Sequence, residues 1–173
     1  IRGRWRDVKD AFGRRSTILT LTATTLFIAF NWSLYIWAIN NGRIFETSLG
    51  YFINPLVNVL LGIIFLKERL RPWQTLALLL ALLAVMNLAL GHGEIPWVAL
   101  SLAFSFGGYA LLRKTVGVDA LVGLSVEVFI LTIPAAAFLL YENFAGVGVF
   151  RHFGGRTDLL LIGSALVTAL PLL

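Results

Sequence analysis

Hydrophobic positions in this chain gather into six long runs, at residues 18–40, 49–66, 73–90, 95–112, 120–141 and 159–173. An α-helix rises about 1.5 Å per residue, so a run of roughly 18 to 23 residues covers about 27 to 34 Å, enough for a hydrocarbon core near ~30 Å. The pattern predicts an all-α integral membrane protein, a multi-helix transmembrane bundle with six transmembrane segments. Only the sixth run is too short to span as it stands.

The polar intervals set the topology. Those at 67–72, 91–94 and 113–119 are short, and short connections make neighbouring helices antiparallel partners. Pro72 stands where a helix can begin without losing a needed N–H, while Gly91, Gly93 and Pro96 punctuate the next hairpin. The longest outer connection, 142–158, contains AGVGVFRHFGG. Gly146 and Gly148 lack the third glycine, the strand and the helix start of a phosphate loop, so the segment reads as a flexible outer loop. Trp5, Trp37, Trp73, Trp97 and Tyr141 fall near run ends, the belt expected at membrane surfaces.

Composition agrees: 58% of residues are hydrophobic, 13% are charged, and the mean hydropathy is +0.86. That balance lies outside the range of ordinary soluble domains. The formal charge of +5 matters through its placement. Arg2, Arg4, Arg6, Lys9, Arg14 and Arg15 precede the first run, Lys67, Arg69 and Arg71 follow the second, and Arg113 and Lys114 follow the fourth. Arg43, Arg151 and Arg156 fall on the other side. The positive-inside rule therefore makes residues 1–17 cytoplasmic and sends the first span outward. Anionic headgroups already explain basic residues beside a span, so no nucleic-acid partner is inferred. Zero cysteines exclude disulfides, thiolate metal sites and cysteine nucleophiles. The first run is too long for a signal peptide and lacks an Ala-x-Ala exit. A start at Ile1 and a stop inside the sixth run at Pro171-Leu172-Leu173 read as a piece of a longer protein.

Polar groups inside the runs are the candidate chemistry. Tyr51, Asn54, Asn58 and Gly62 recur at helical spacing and share one face. Pro55 follows Asn54 and frees a backbone carbonyl one turn earlier, near Tyr51. Two readings stand: the stripe packs against neighbouring helices, or it forms the wall of a polar cavity. In FNWSLYIWAINN, Asn31 and Tyr35 lie one turn apart beside Trp32, a set that suits an amphipathic organic solute but equally fills a bundle. Asn40 and Asn41 are placed to cap that helix. Glu127 is the carboxylate clearly inside an apolar run. Such a group faces protein or water, either held by Ser125 or a neighbouring helix or carrying a proton during transport. Ser101, Ser105, Gly107 and Gly108 have the spacing of close helix packing, and Pro134 should kink its span. Lys67-Glu68-Arg69 and Arg113-Lys114 read as simple interfacial anchors. His92 and His152 stand alone in outer loops and no P-loop is present, so no catalytic residue, cofactor or metal site is expected.

The segments FNWSLYIWAIN, SLGYFINPLVNVLLGIIFLKERLRPWQ and ALSLAFSFGGYALLRK resemble the RarD group of the EamA family, within the drug/metabolite transporter superfamily. The resemblance covers essentially the whole chain, and GYFINPLVNVLLG with FLKER is its most specific part. It implies a bacterial inner-membrane permease associated with chloramphenicol sensitivity, with ten helices in two inverted five-helix repeats. This chain would then hold the end of the first repeat (residues 1–92) and the start of the second (93–173). It implies no catalytic set.

The reading is a secondary, non-ATP carrier of a small organic solute working by alternating access in the lipid bilayer. Asn31, Trp32, Tyr35, Tyr51, Asn54 and Asn58 are the candidate substrate-binding residues, Glu127 the candidate for proton coupling, and Pro55 and Pro134 the candidate hinges. Homo-oligomerisation stays open. The alternatives are a non-transporting membrane assembly or sensory component, and an intramembrane enzyme; the scattered Asp119, Glu142 and Asp158 argue against the latter.

Overall fold

The structure, a computed structural model, describes residues 12–91, 95–145 and 154–169. Among the described residues six helices follow in order: α1 Arg15–Asn40, α2 Ile44–Leu66, α3 Pro72–Leu90, α4 Trp97–Thr115, α5 Ala120–Phe144 and α6 Gly155–Ala169. The fold is all-α, with no strand among the described residues. Residues 1–11 of the basic segment, the repeat division at 92/93 with His92, most of the AGVGVFRHFGG loop with His152, and residues 170–173 lie outside the described residues. The chain forms two compact units, Ile1–Phe129 and Ile130–Leu173. The first contains α1 to α4 and the opening of α5; the second contains the rest of α5 and α6.

By length and composition α1 (26 residues), α2 (23) and α5 (25) can each cross a membrane. The other runs also fold as helices. In α4 the small polar residues and the terminal Arg113 and Lys114 dilute the apolar character.

Local chemistry explains the boundaries. The Asn41 side chain donates to the Trp37 carbonyl at 2.8 Å, closing α1. After the turn at Gly42, α2 begins at Ile44 rather than at Leu49 and carries Glu46 in its first turn, where a carboxylate suits the positive helix end. Pro72 opens α3. The Asp119 Oδ1 accepts the Leu121 N–H at 3.0 Å, an N-cap for α5. Pro55 and Pro134 both lie inside continuous helices, the latter within the second unit.

Within the first unit α4 packs against α2 and α1, and α3 packs on α2. Contacts fix the directions. Glu46 meets Val98 and Asn58 nears Gly107, so α2 and α4 run parallel. Asn31 bonds Ser105 while Ala38 packs with Val98, so α1 runs antiparallel to α4. Leu49, Ile53 and Val57 of α2 form one core cluster with Ala99 and Ala103. Large apolar side chains such as Leu26, Phe52, Phe65, Leu83 and Phe138 are exposed, whereas Thr24, Thr25, Thr47, Ser105 and Glu127 are buried. That distribution is the one a lipid solvent selects, since polar side chains find partners only between helices.

Gly107 sits at the tightest α2–α4 approach. A Cβ there would lie 2.8 Å from Val57 Cγ1 and 3.0 Å from Leu61 Cδ1. Gly107→Ala should therefore cost about 1–3 kcal/mol of stability, the usual penalty of overpacking, and lower the unfolding temperature of the detergent-solubilised protein.

Candidate functional site

Antiparallel α1 and α2 bring their polar faces together beside α4. There Asn31, Trp32 and Tyr35 of α1 and Tyr51 and Asn54 of α2 line one cavity of about 280 Å³. Thr47, Gly50, Leu102 and Phe106 complete its wall. The size is at the small end for organic ligands, whose pockets run from about 300 Å³ upward. Tyr35 and Tyr51 meet edge to face at 6.1 Å and 77°. Among the described residues no charged side chain lines this cavity.

The amides are partly committed to packing. Asn31 Nδ2 donates to the Leu102 carbonyl and to Ser105 Oγ, both at 2.8 Å. The group Asn31 still offers is its carbonyl oxygen. Ser105 passes the bond on, donating to Leu102 O at 3.1 Å. Asn54 Oδ1 accepts from Asn58 Nδ2 at a long 3.4 Å, which leaves the Asn54 amide hydrogens for the cavity. Asn58 itself lines a different cavity, toward the basic end of α2. The stripe of α2 thus serves two spaces.

Four wall residues were not found from sequence. Thr47 lies one turn before Tyr51 on the same face, and recognising the helix start at Ile44 would have revealed it. Gly50, Leu102 and Phe106 carry no polar signal.

The rim opposite the basic end is clasped. The Arg43 guanidinium lies 5.8 Å from the Trp37 ring and 5.3 Å from the Trp97 ring. Arg43 Nη1 also donates to Glu46 Oε1 at 2.8 Å, while Glu46 Oε2 accepts the Val98 N–H at 3.1 Å. The α1–α2 turn is thereby tied to the first turn of α4. These tryptophans do more than mark an interface.

Glu127 is 3% exposed and is held by neighbouring helices. The Thr24 hydroxyl of α1 donates to Oε1 at 2.7 Å, with the Leu21 carbonyl at 2.8 Å as its alternative acceptor. The Tyr109 hydroxyl of α4 donates to Oε2 at 3.4 Å. Arg113 Nε stands 3.6 Å from Oε1, and its Nη2 donates to the Ala120 carbonyl at 2.9 Å. Ser125, the alternative expected partner, bonds the Leu121 carbonyl of its own helix instead, at 2.7 Å. Glu127 does not line the aromatic cavity. Arg113 and Lys114 are also more than anchors, for Lys114 pairs with Glu68.

Residues 3–90 match the EamA-like transporter family. The chain is 42% identical over 170 residues to protein RarD of Streptomyces exfoliatus, covering 98% of this chain and 54% of that protein. It is likewise 42% identical over 172 residues to protein RarD of Escherichia coli, covering 98% and 57%. The chloramphenicol-sensitive protein RarD of Pseudomonas aeruginosa is 39% identical over 147 residues, or 85% and 48% of the two chains. The chain thus spans about half the length of the curated relatives it matches. No solved structure gives a match. Helices throughout the described residues, a family match over residues 3–90, and RarD relatives aligned along nearly all of the chain converge on one conclusion: the chain belongs to the EamA-like transporter family.

Proposed function

We propose that the full-length protein is a RarD-like secondary transporter that moves a small organic solute by alternating access, without ATP, across a bacterial inner membrane with residues 1–17 on the cytoplasmic side. The carrying observation is the convergence of Asn31, Trp32, Tyr35, Tyr51 and Asn54 on one uncharged cavity. Aromatic faces give a solute contact area, and the free amide and carbonyl groups give direction. Glu127 is the proton-coupling carboxylate, and Pro55 and Pro134 are hinge positions. One relative's name makes chloramphenicol a sensible member of any probe panel.

The test reconstitutes the full-length protein in liposomes and compares flux per folded molecule. Tyr51→Ala and Asn54→Leu should each raise the half-saturating solute concentration by about tenfold, the cost of one lost stacking or hydrogen-bonding partner of roughly 1.4 kcal/mol. If they lower only protein abundance, this face serves packing.

A further inference from the structure

At the basic end of the α2/α4 interface lies a second cavity of about 140 Å³, whose polar wall is Asn58, Glu68 and Lys114. Asn58 Oδ1 is buried there without a hydrogen-bond partner, and such an acceptor is ordinarily met by water or by a passing polar group. Asn58 Nδ2 reaches Asn54, which lines the aromatic cavity, so one polar stripe of α2 faces both spaces. Gly107 pressed against Val57 and Leu61 narrows the interface beside that junction.

The far side of the second cavity ends on an ion pair between Glu68, just past α2, and Lys114, near the end of α4. Two features aim the Glu68 carboxylate. Lys67 adopts a left-handed backbone with φ of 53°, uncommon for a residue with a side chain, and Glu68 N–H returns to the Gly62 carbonyl at 3.2 Å. Gly62 leaves room beneath it, since a Cβ there would stand 2.8 Å from Glu68 Oε2. The Lys114 and Glu68 side chains are 60% and 48% exposed, so the tie is weak enough to be made and broken repeatedly.

We propose that Glu68–Lys114 is the gate at the basic end of a route running from the aromatic cavity past Asn58, closed in this structure. The inference rests on the transporter reading for its purpose, and its first readout does not need transport. The full-length protein carries Asn58→Cys as a reporter, with the parent protein as the blank. A membrane-impermeant maleimide is applied from the face bearing residues 1–17. Glu68→Gln and Lys114→Met should each speed labelling by about three- to tenfold, in keeping with a weak exposed tie. The swap Glu68→Lys with Lys114→Glu should return it to the slow rate. Equal labelling in all four proteins, or a swap as fast as the single variants, overturns the gate.

A second measurement guards against variants that fold poorly. Oxidising Glu68→Cys with Lys114→Cys to a disulfide should stop flux, and a reductant should restore it. Flux at the reduced rate while cross-linked overturns the gate. A parent protein that moves no solute overturns the transporter reading, and the labelling rates then still decide whether the pair closes the cavity.

Discussion

Glu127→Ala should destabilise the first compact unit by about 3–5 kcal/mol, because it leaves the Arg113 guanidinium largely buried without its countercharge. The Arg113 side chain is 14% exposed, and its Nη1 already lacks a hydrogen-bond partner, so no second acceptor stands ready to replace the carboxylate. Loss of Glu127 also strands the Thr24 and Tyr109 hydroxyls, although Thr24 can turn back to Leu21 O. Glu127→Gln should cost less, since an amide oxygen keeps an acceptor in place. Replacing Arg113 and Glu127 together by Met should bring stability closer to the parent than either single change, as buried ion pairs behave when both charges leave. Thermal or denaturant unfolding of the purified full-length protein in detergent reads all five variants. A Glu127→Ala protein as stable as the parent would mean the pair is not closed.

Gly123→Ala should cost about 1–3 kcal/mol, less than Glu127→Ala, while removing no charge and no hydrogen-bonding group. The guanidinium of Arg113 lies on this residue: a Cβ would stand 2.1 Å from Nη1 and 2.5 Å from Cζ. The guanidinium must shift, which loosens its approach to Glu127. The diagnostic comparison is the background in which Arg113 and Glu127 are already Met. There the flexible thioether can shift, and Gly123→Ala should fall to within about 1 kcal/mol of neutral. Equal penalties in both backgrounds would place the clash elsewhere.

Helical periodicity made the aromatic cavity readable before any coordinates. Asn31 and Tyr35, like Tyr51 and Asn54, sit one turn apart, and two antiparallel helices with such faces converge when they pack. Asn58 shows the limit of that reasoning. A face is continuous along a helix, but the approach of Gly107 at Val57 and Leu61 narrows the space against it, which sequence spacing alone does not reveal. Hydropathy also misplaced the start of α2, because Glu46 and Thr47 are polar yet lie inside the helix; their partners Val98 N–H and Ile44 O make them stable there. Partners distant in sequence were invisible. Thr24, Tyr109 and Arg113 reach Glu127 from two other helices, and nothing in the local pattern of any one of them announces it. Gly62 was legible as a small residue, but its use as room for Glu68 depends on the left-handed turn at Lys67.

The most direct test of the central claim is flux in liposomes containing the full-length protein and no ATP, over a panel of small organic solutes that includes chloramphenicol. At least one uncharged aromatic solute should move down an imposed gradient, saturate, and be moved with about tenfold weaker affinity by Tyr51→Ala and Asn54→Leu. No saturable flux for any solute, or saturable flux that both variants leave unchanged, would contradict it.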